Sequence, residues 1–455
     1  MKPWGAFSED SHGVSSLTVL PGNTLKGEAK VPGDKSISHR AVILGSLAEG
    51  LTEIQGFLPG EDCLRTATAF TAMGVEIEAP DPDRLLIRGK GLRGLAEPED
   101  VLYAGNSGTT MRLMMGVLAG QGFFSVLTGD PSLRRRPMGR VTEPLRRMGA
   151  SIWGRGKGAF APLAIRGGCL HGIHHKNPIA SAQVKSALLL AGLFADGETV
   201  VEEPHQSRDH TERMLHYFGL PLKTKGLAVG LEPPQRLEAR ALEIPGDFSS
   251  AAFLIVAALL VPNSEIVLRR VGVNPTRTGL LHVLRSMGAN IEMANQREAS
   301  GEPVADIWVR SSQLQGTQVG GPLIPLLIDE IPILALAATQ AAGKTIIQDA
   351  GELRVKESDR IATVAQELSR LGARVQERED GLVIDGGTQL RGSTYRSHGD
   401  HRIAMTLAIA GLLAEGHTQV LDIDCIHTSF PGFAELLCQL GAEVSVALGC
   451  KESQS

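Results

Sequence analysis

The chain has 455 residues, with 45 Lys and Arg against 50 Asp and Glu for a net charge of −5, 42% apolar residues and 4% aromatics. That length holds two or three domains with sizeable cores, and the acidic balance argues against a nucleic-acid surface. Scarce aromatics beside 53 glycines fit small-residue helices packed on sheets, an α/β class of fold, better than a β-sandwich.

Residues 1–16 carry Glu9, Asp10 and His12 but no apolar signal core or Arg-rich amphipathic pattern. They read as a loose polar tail without an import signal. The longest apolar run, Ala251 to Pro262, falls short of the ~20 residues that cross a bilayer and predicts a buried helix, with no membrane partner. Cys63, Cys169, Cys425, Cys438 and Cys450 are odd in number and lack CxxC spacing, so the expectation is reduced thiols in the cytoplasm, with neither disulfides nor zinc.

Along the chain an apolar residue, Gly and a small or apolar residue recur as Met73-Gly74-Val75, Met148-Gly149-Ala150, Phe218-Gly219-Leu220, Met287-Gly288-Ala289, Leu371-Gly372-Ala373 and Leu440-Gly441-Ala442. The glycines step by 75, 70, 69, 84 and 69 residues. Each follows an amphipathic helix and precedes a β-rich stretch, as within Val364 to Gln376, so each is read as a helix C-cap. One such ending is commonplace; six at similar spacing predict six copies of one unit. Upstream of each glycine lies a second helix, apolar nearly all round and therefore buried, as at 187–195 and 403–414. Gly197 and Gly416 then turn the chain into strands at Thr199 and Thr418. Pro32-Gly33-Asp34 and Pro245-Gly246-Asp247, 213 residues apart, open units one and four and mark the crossings between two three-unit halves.

Polar residues gather at the starts of the buried helices: Pro32 to Arg40, Gly105 to Arg112, Ala180 to Lys185, Pro245 to Ser250, Ile328 to Ile331 and Gly399 to Arg402. Unpaired amides and the helix dipole favour anions there. Lys35, Arg40, Arg112, Arg136, Lys185, Arg208, Lys356, Arg360 and Arg402 lie in or beside these turns, predicting small anionic substrates. Any one of them alone reads as a solvated surface residue. Asp329, Glu330 and Glu357 sit by apolar runs, where a carboxylate is either a helix N-cap or an acid/base group. His398, Asp400, His401 and Arg402 admit a metal or triad reading, but HExxH is absent and His401 is read as a structural partner within its turn. No GxxxxGK[ST], GxGxxG on a strand–helix turn, or GxSxG occurs.

The segments VPGDKSISHR (31–40), GNSGTTMR (105–112), RRPMGR (135–140), ASAQVKSA (180–187), PGDFSSAA (245–252), LIDEIPILA (327–335), RVKESDR (354–360), DHRIAM (400–405) and TSFPGF (428–433) resemble, in family order, the signatures of the 5-enolpyruvylshikimate-3-phosphate (EPSP) synthases. SHR, SAQ and SRDHT resemble the second class of bacterial members. The resemblance implies the enolpyruvyl transferase fold: two α/β domains, each of three βαβαββ units in an inside-out barrel, at 34–246 and at 1–33 plus 247–455, with the active site in the cleft between them. It implies transfer of the enolpyruvyl (carboxyvinyl) group of phosphoenolpyruvate to shikimate 3-phosphate in the shikimate pathway to chorismate and aromatic amino acids, by a cytoplasmic monomer without metal or other cofactor. By motif position, shikimate 3-phosphate is held by Lys35, Ser36, Arg40, Ser181, Ala182, Gln183, Arg208, Asp329 and Lys356. Phosphoenolpyruvate is held by Lys35, Gly108, Arg136, Gln183, Arg360 and Arg402. Asp329 is the implied base, Glu357 the acid and Lys35 a charge stabiliser. Where many relatives carry Lys, this chain has Thr428. The inhibitor glyphosate occupies the phosphoenolpyruvate site, and tolerant relatives can carry Ala at the position of Gly108. Two alternatives stand beside this reading: a UDP-N-acetylglucosamine enolpyruvyl transferase, which typically has a loop Cys that 105–140 lacks, and a noncatalytic repeat scaffold.

Overall fold

The computed structural model describes residues 14–448; residues 1–13 of the predicted tail, and Cys450, lie outside the described residues. Ser15 and Ser16 depart from the tail reading. Both are buried, and Ser16 opens the strand Ser16–Leu20, because Leu17 and Val19 alternate into the core and draw the backbone before them into a ladder.

Contacts divide the chain into two compact units: residues 33–245 with 298–302, and residues up to 32 with 246–297 and from 303 onward. Each is built from three copies of one four-stranded sheet. In the second copy Leu102–Tyr103 runs parallel to Phe124–Thr128, which pairs antiparallel with Phe160–Arg166, and Ser151–Gly154 lines the edge. The parallel step needs a crossover, supplied by the buried helix Gly108–Ala119; the amphipathic helix Gly139–Arg147 leads to the edge strand. The other five sheets share this strand order. Chain ends close both units. Ala241–Glu243 provides the parallel strand of the first sheet beside Glu49–Gln55. Lys26–Ala29 does so for the fourth beside Glu265–Gly272, and Ser16–Leu20 sits inside the sixth between Thr418–Leu421 and Glu443–Ala447.

The six repeat glycines have φ of +87°, +112°, +89°, +96°, +97° and +105° at Gly74, Gly149, Gly219, Gly288, Gly372 and Gly441, the left-handed region a Cβ disfavours. Each ends its amphipathic helix as expected, and an edge strand follows. The buried helices are Lys35–Leu47, Gly108–Ala119, Ala182–Gly192, Phe248–Leu260, Ile331–Gln340 and His401–Gly411. Two of them begin earlier than their apolar stretches at 187 and 403, since Ser181 and Asp400 cap a polar first turn that belongs to the helix. Small residues let backbones close in: a Cβ on Gly116 would stand 2.1 Å from the Ala187 carbonyl oxygen, and Gly45, Gly192 and Gly411 each face a Thr of the next strand at 2.9–3.1 Å. The abundance of glycine is therefore a packing requirement of a helix held on all sides.

Candidate active site

Three buried helices in the unit of residues 33–245 start together. Asp34, Ser107 and Ser181 cap them by accepting from the amides of Ile37 (2.9 Å), Thr110 (3.1 Å) and Val184 (3.5 Å). Side chains tie the starts to one another. Arg112 donates through Nη1 to Gln183 Oε1 at 2.7 Å, and Gln183 Nε2 donates to Thr109 Oγ1 at 3.0 Å. Arg40 donates to Thr211 Oγ1 at 2.6 Å and to Ser186 Oγ at 2.7 Å. Lys35, the first helical residue, pairs with Asp62 Oδ2 at 2.8 Å. Arg136 donates to Asn106, whose amide donates to Asp130 at 2.6 Å. Ser36, Ser181, Ala182, Gln183 and Arg208 line this region half-buried, while Gly108 is buried.

One expectation changes here. Lys185 does not join an anion trap: its buried ammonium stands 2.9 Å from Glu203 and 2.7 Å from Glu212. Burial opposes its charge, but those carboxylates hold its pKa above the ordinary value. It faces the core because it is one turn into the helix, on the inner side. Arg40 is nearly buried and grips protein groups, including the Ser36 carbonyl at 2.8 Å; burial lowers its pKa to about 10, against the pull of Glu212 and Asp34. It remains a cation at neutral pH.

The other unit holds the remaining three starts. Asp247 and Asp400 cap two of them, accepting from Ser249 and Ser250 and from Arg402. Asp329 lies within a 3-10 turn of Ile328–Glu330, not at the N-cap position of that turn or of the helix after it. Its carboxylate instead faces cations: Arg360 at 3.2 Å, Lys356 at 3.7 Å and Arg402 at 3.9 Å, while Arg402 donates to its carbonyl at 2.7 Å. Arg360 is 1% exposed and also meets Glu357 at 2.6 Å and Asp400 at 2.8 Å. Desolvation works against its charge, yet Asp400, Glu357 and Asp329 outweigh that and raise its pKa above the ordinary value. Reciprocally, burial would raise the Asp400 pKa, but Arg360 brings it below the carboxylate norm. One buried guanidinium thus holds both candidate proton-transfer carboxylates. The metal reading of this turn has no geometry behind it: His398 turns away to Glu367 at 2.9 Å, and Asp400 is engaged as a cap.

A family model described as EPSP synthase (3-phosphoshikimate 1-carboxyvinyltransferase) matches residues 19–437. A Desulforudis audaxviator protein named 3-phosphoshikimate 1-carboxyvinyltransferase is 60% identical over 94% of this chain and 100% of its own length. One of the same name from Gloeobacter violaceus is 57% identical over 93% and 99%. The chain belongs to the EPSP synthase family. A solved EPSP synthase from Acinetobacter baumannii aligns with TM-score 0.85 and 46% identity over 95% of this chain and 100% of that one, so the fold is that of the EPSP synthases. Neither the UDP-N-acetylglucosamine transferase nor the scaffold alternative is favoured by these likenesses.

In this EPSP synthase family member several site-shaping contacts carried no sequence signal. Asp62, the partner of Lys35, lies in none of the quoted motifs, and Ser186 and Thr211 lie in ASAQVKSA and SRDHT without any sign that they hold Arg40. Asn106 stood within a recognised turn, but its bond to Arg136, 30 residues away, did not. At the departure from the family, Thr428 Oγ1 donates to the Cys425 carbonyl at 2.7 Å, closing the 3-10 turn Ile423–Thr428.

Proposed function

We infer that the chain carries out the family's reaction, moving the carboxyvinyl group of phosphoenolpyruvate to the 5-hydroxyl of shikimate 3-phosphate with release of phosphate. Shikimate 3-phosphate is held by Lys35, Ser36, Arg40, Ser181, Ala182, Gln183, Arg208, Asp329 and Lys356. Phosphoenolpyruvate is held by Lys35, Gly108, Arg136, Gln183, Arg360 and Arg402, with Arg360 yielding part of its present carboxylate contacts to the substrate. Guanidinium forks suit carboxylate and phosphate oxygens.

Asp329 takes the proton of the 5-hydroxyl as its oxygen bonds to C2, and Glu357 gives a proton to C3, leaving a tetrahedral adduct with no net change in protons. Collapse reverses both transfers: Glu357 takes back a proton from C3 as that carbon–hydrogen pair forms the double bond, the C2–O bond to phosphate breaks, and the proton held by Asp329 goes to the leaving phosphate. Lys35 stabilises the charge that develops. The observation that carries this reading is the shared Arg360, which holds Asp329 at 3.2 Å and Glu357 at 2.6 Å. Two carboxylates near one cation can exchange roles as the reaction reverses the direction of proton flow.

The decisive experiment is phosphate release on mixing the protein with both substrates. Release only with UDP-N-acetylglucosamine as acceptor, or none, would remove the reading. Asp329→Ala and Glu357→Gln should each lower kcat by about 10²- to 10⁴-fold, the usual worth of general acid–base catalysis, and should change the amount of adduct trapped by acid quench. Wild-type-like turnover in both would remove the assignment. The protein acts as a cytoplasmic monomer on small molecules, without nucleic acid, membrane or cofactor. No helix among the described residues is long and apolar enough to cross a membrane. Light scattering at micromolar concentration tests the monomer.

A further inference from the structure

We propose that Glu302, through its buried contact with His210, is a positioning residue for the turn 207–211 that presents Arg208 to the acceptor substrate. The inference rests on the function proposed above. His210 Nδ1 and Glu302 Oε1 are 2.7 Å apart, and the two residues are 1% and 3% exposed. His210 opens the helix His210–Tyr217, so fixing its ring fixes where the preceding turn ends. Both flanks of that turn are already tied to the candidate site. Ser207 donates to Glu203 at 2.6 Å, and Glu203 accepts from the Ser181 amide at 2.8 Å. Thr211 accepts from Arg40 at 2.6 Å and donates to Ser186 at 2.7 Å.

Glu302 comes to this turn in an unusual way. It ends the segment 298–302, which groups with the unit of residues 33–245 although Arg297 and Pro303 on either side group with the other. Ser300 and Gly301 have φ of +49° and +83°, the two left-handed residues of a tight two-residue hairpin turn. That tip is docked: Ser300 Oγ accepts from the Glu243 amide at 2.8 Å, and the Gly301 carbonyl accepts from Arg213 at 3.2 Å. Arg213 in turn donates to Asp209 Oδ2 at 2.9 Å, inside the same turn. A carboxylate beside a hairpin turn normally lies in water, and burying it is costly unless it is paired. Strand pairing does not require that cost; holding His210 does. Arg208 and Glu302 also both act on the charge of Arg40, the first lowering its pKa and the second raising it, after the larger effects of burial, Glu212 and Asp34. All three therefore share one electrostatic neighbourhood.

The test is steady-state phosphate release with the two KM values measured separately in the full-length wild type, Glu302→Ala, Glu302→Gln and Ser300→Ala. Glu302→Ala should raise KM for shikimate 3-phosphate about tenfold, roughly the worth of one charged hydrogen bond at the low end, with kcat and KM for phosphoenolpyruvate within about twofold. Glu302→Gln, which retains an acceptor, should recover most of the loss. Ser300→Ala loosens the tip without stranding a charge, and should show the same acceptor-selective rise at about threefold, as expected for one neutral hydrogen bond. An active wild type with unchanged acceptor KM in the folded variants overturns the inference alone. So does a parallel change in both KM values and kcat, the mark of a merely structural role. A wild type that releases no phosphate overturns the proposed function and this inference with it.

Discussion

Gly108→Ala probes the proposed phosphoenolpyruvate site with a single methyl group. A Cβ built at Gly108 lies 2.8 Å from Arg112 Nη1 and 3.4 Å from Arg136 Nη1. The first distance is too short to persist and the second is tight, so the flexible Arg112 end gives way. Its Nη1 now holds Gln183 Oε1 at 2.7 Å, and Gln183 holds Thr109 at 3.0 Å, so the displacement passes to a second proposed ligand-binding residue. Hydrogen bonds to charged groups contribute about 1.5–3 kcal/mol. Losing one at the low end of that range costs about 1.4 kcal/mol, a tenfold change in affinity. The expected result is a KM for phosphoenolpyruvate raised about tenfold, with a smaller rise for shikimate 3-phosphate, which shares Gln183, and a melting temperature nearly unchanged. Inhibition by glyphosate, which shares the phosphoenolpyruvate site in this family, should weaken at least as much. Initial rates over a grid of both substrates, with and without inhibitor, measure all of this. A wild-type KM for phosphoenolpyruvate, or equal rises for both substrates, would refute the steric argument.

Two further outcomes follow from buried chemistry. His39 is fully buried with Nδ1 2.7 Å from Thr66 Oγ1, and burial, then Lys35 and Arg40, push its pKa well below the ordinary 6.5. Its folded state therefore stays neutral while the unfolded chain takes up a proton as pH falls through 6.5, so stability is complete above that pH and declines below it. Between pH 7.5 and 5, urea denaturation should show a loss of about 2 kcal/mol traceable to this residue, and His39→Asn should remove that part of the slope; an unchanged slope would contradict it. Among the described thiols, Cys169 and Cys438 are exposed, Cys63 is buried, and burial pushes Cys425 up to about 12. Iodoacetamide at pH 8 followed by peptide mapping should label Cys169 and Cys438 well before Cys425, since only the thiolate reacts; early labelling of Cys425 would show that its environment is not closed.

How far the sequence was legible depends on the range of the interaction. The six glycines were readable because a helix ending is local: an apolar face, a left-handed residue and a strand all fall within about 15 residues. The buried helices were readable because their apolar surface runs all the way round. Contacts that bind one helix start to another were not, since Arg40 and Thr211 are 171 residues apart and His210 and Glu302 are 92 apart, and neither pair falls at a repeat-equivalent position. Lys185 was misread for a related reason. At a helix start its charge looks like that of Lys35, and only the approach of Glu203 and Glu212 across the fold turns it into a buried ion pair.

The two units use their helix starts differently, and the difference matches the chemistry assigned to them. In one, Arg112 and Arg136 donate to oxygens of Gln183, Pro137 and Asn106, contacts that orient each guanidinium. Such groups suit recognition of phosphate and carboxylate. In the other, Arg360 is surrounded by Asp329, Glu357 and Asp400, and its charge keeps Asp400 below the carboxylate norm against the effect of burial. A repeated scaffold places equivalent positive helix ends in both units, and the side chains brought beside each end by the rest of the fold set what it can do. Exchanging the two patterns would leave the sheets and buried helices intact while removing the reason for either unit to act on these substrates.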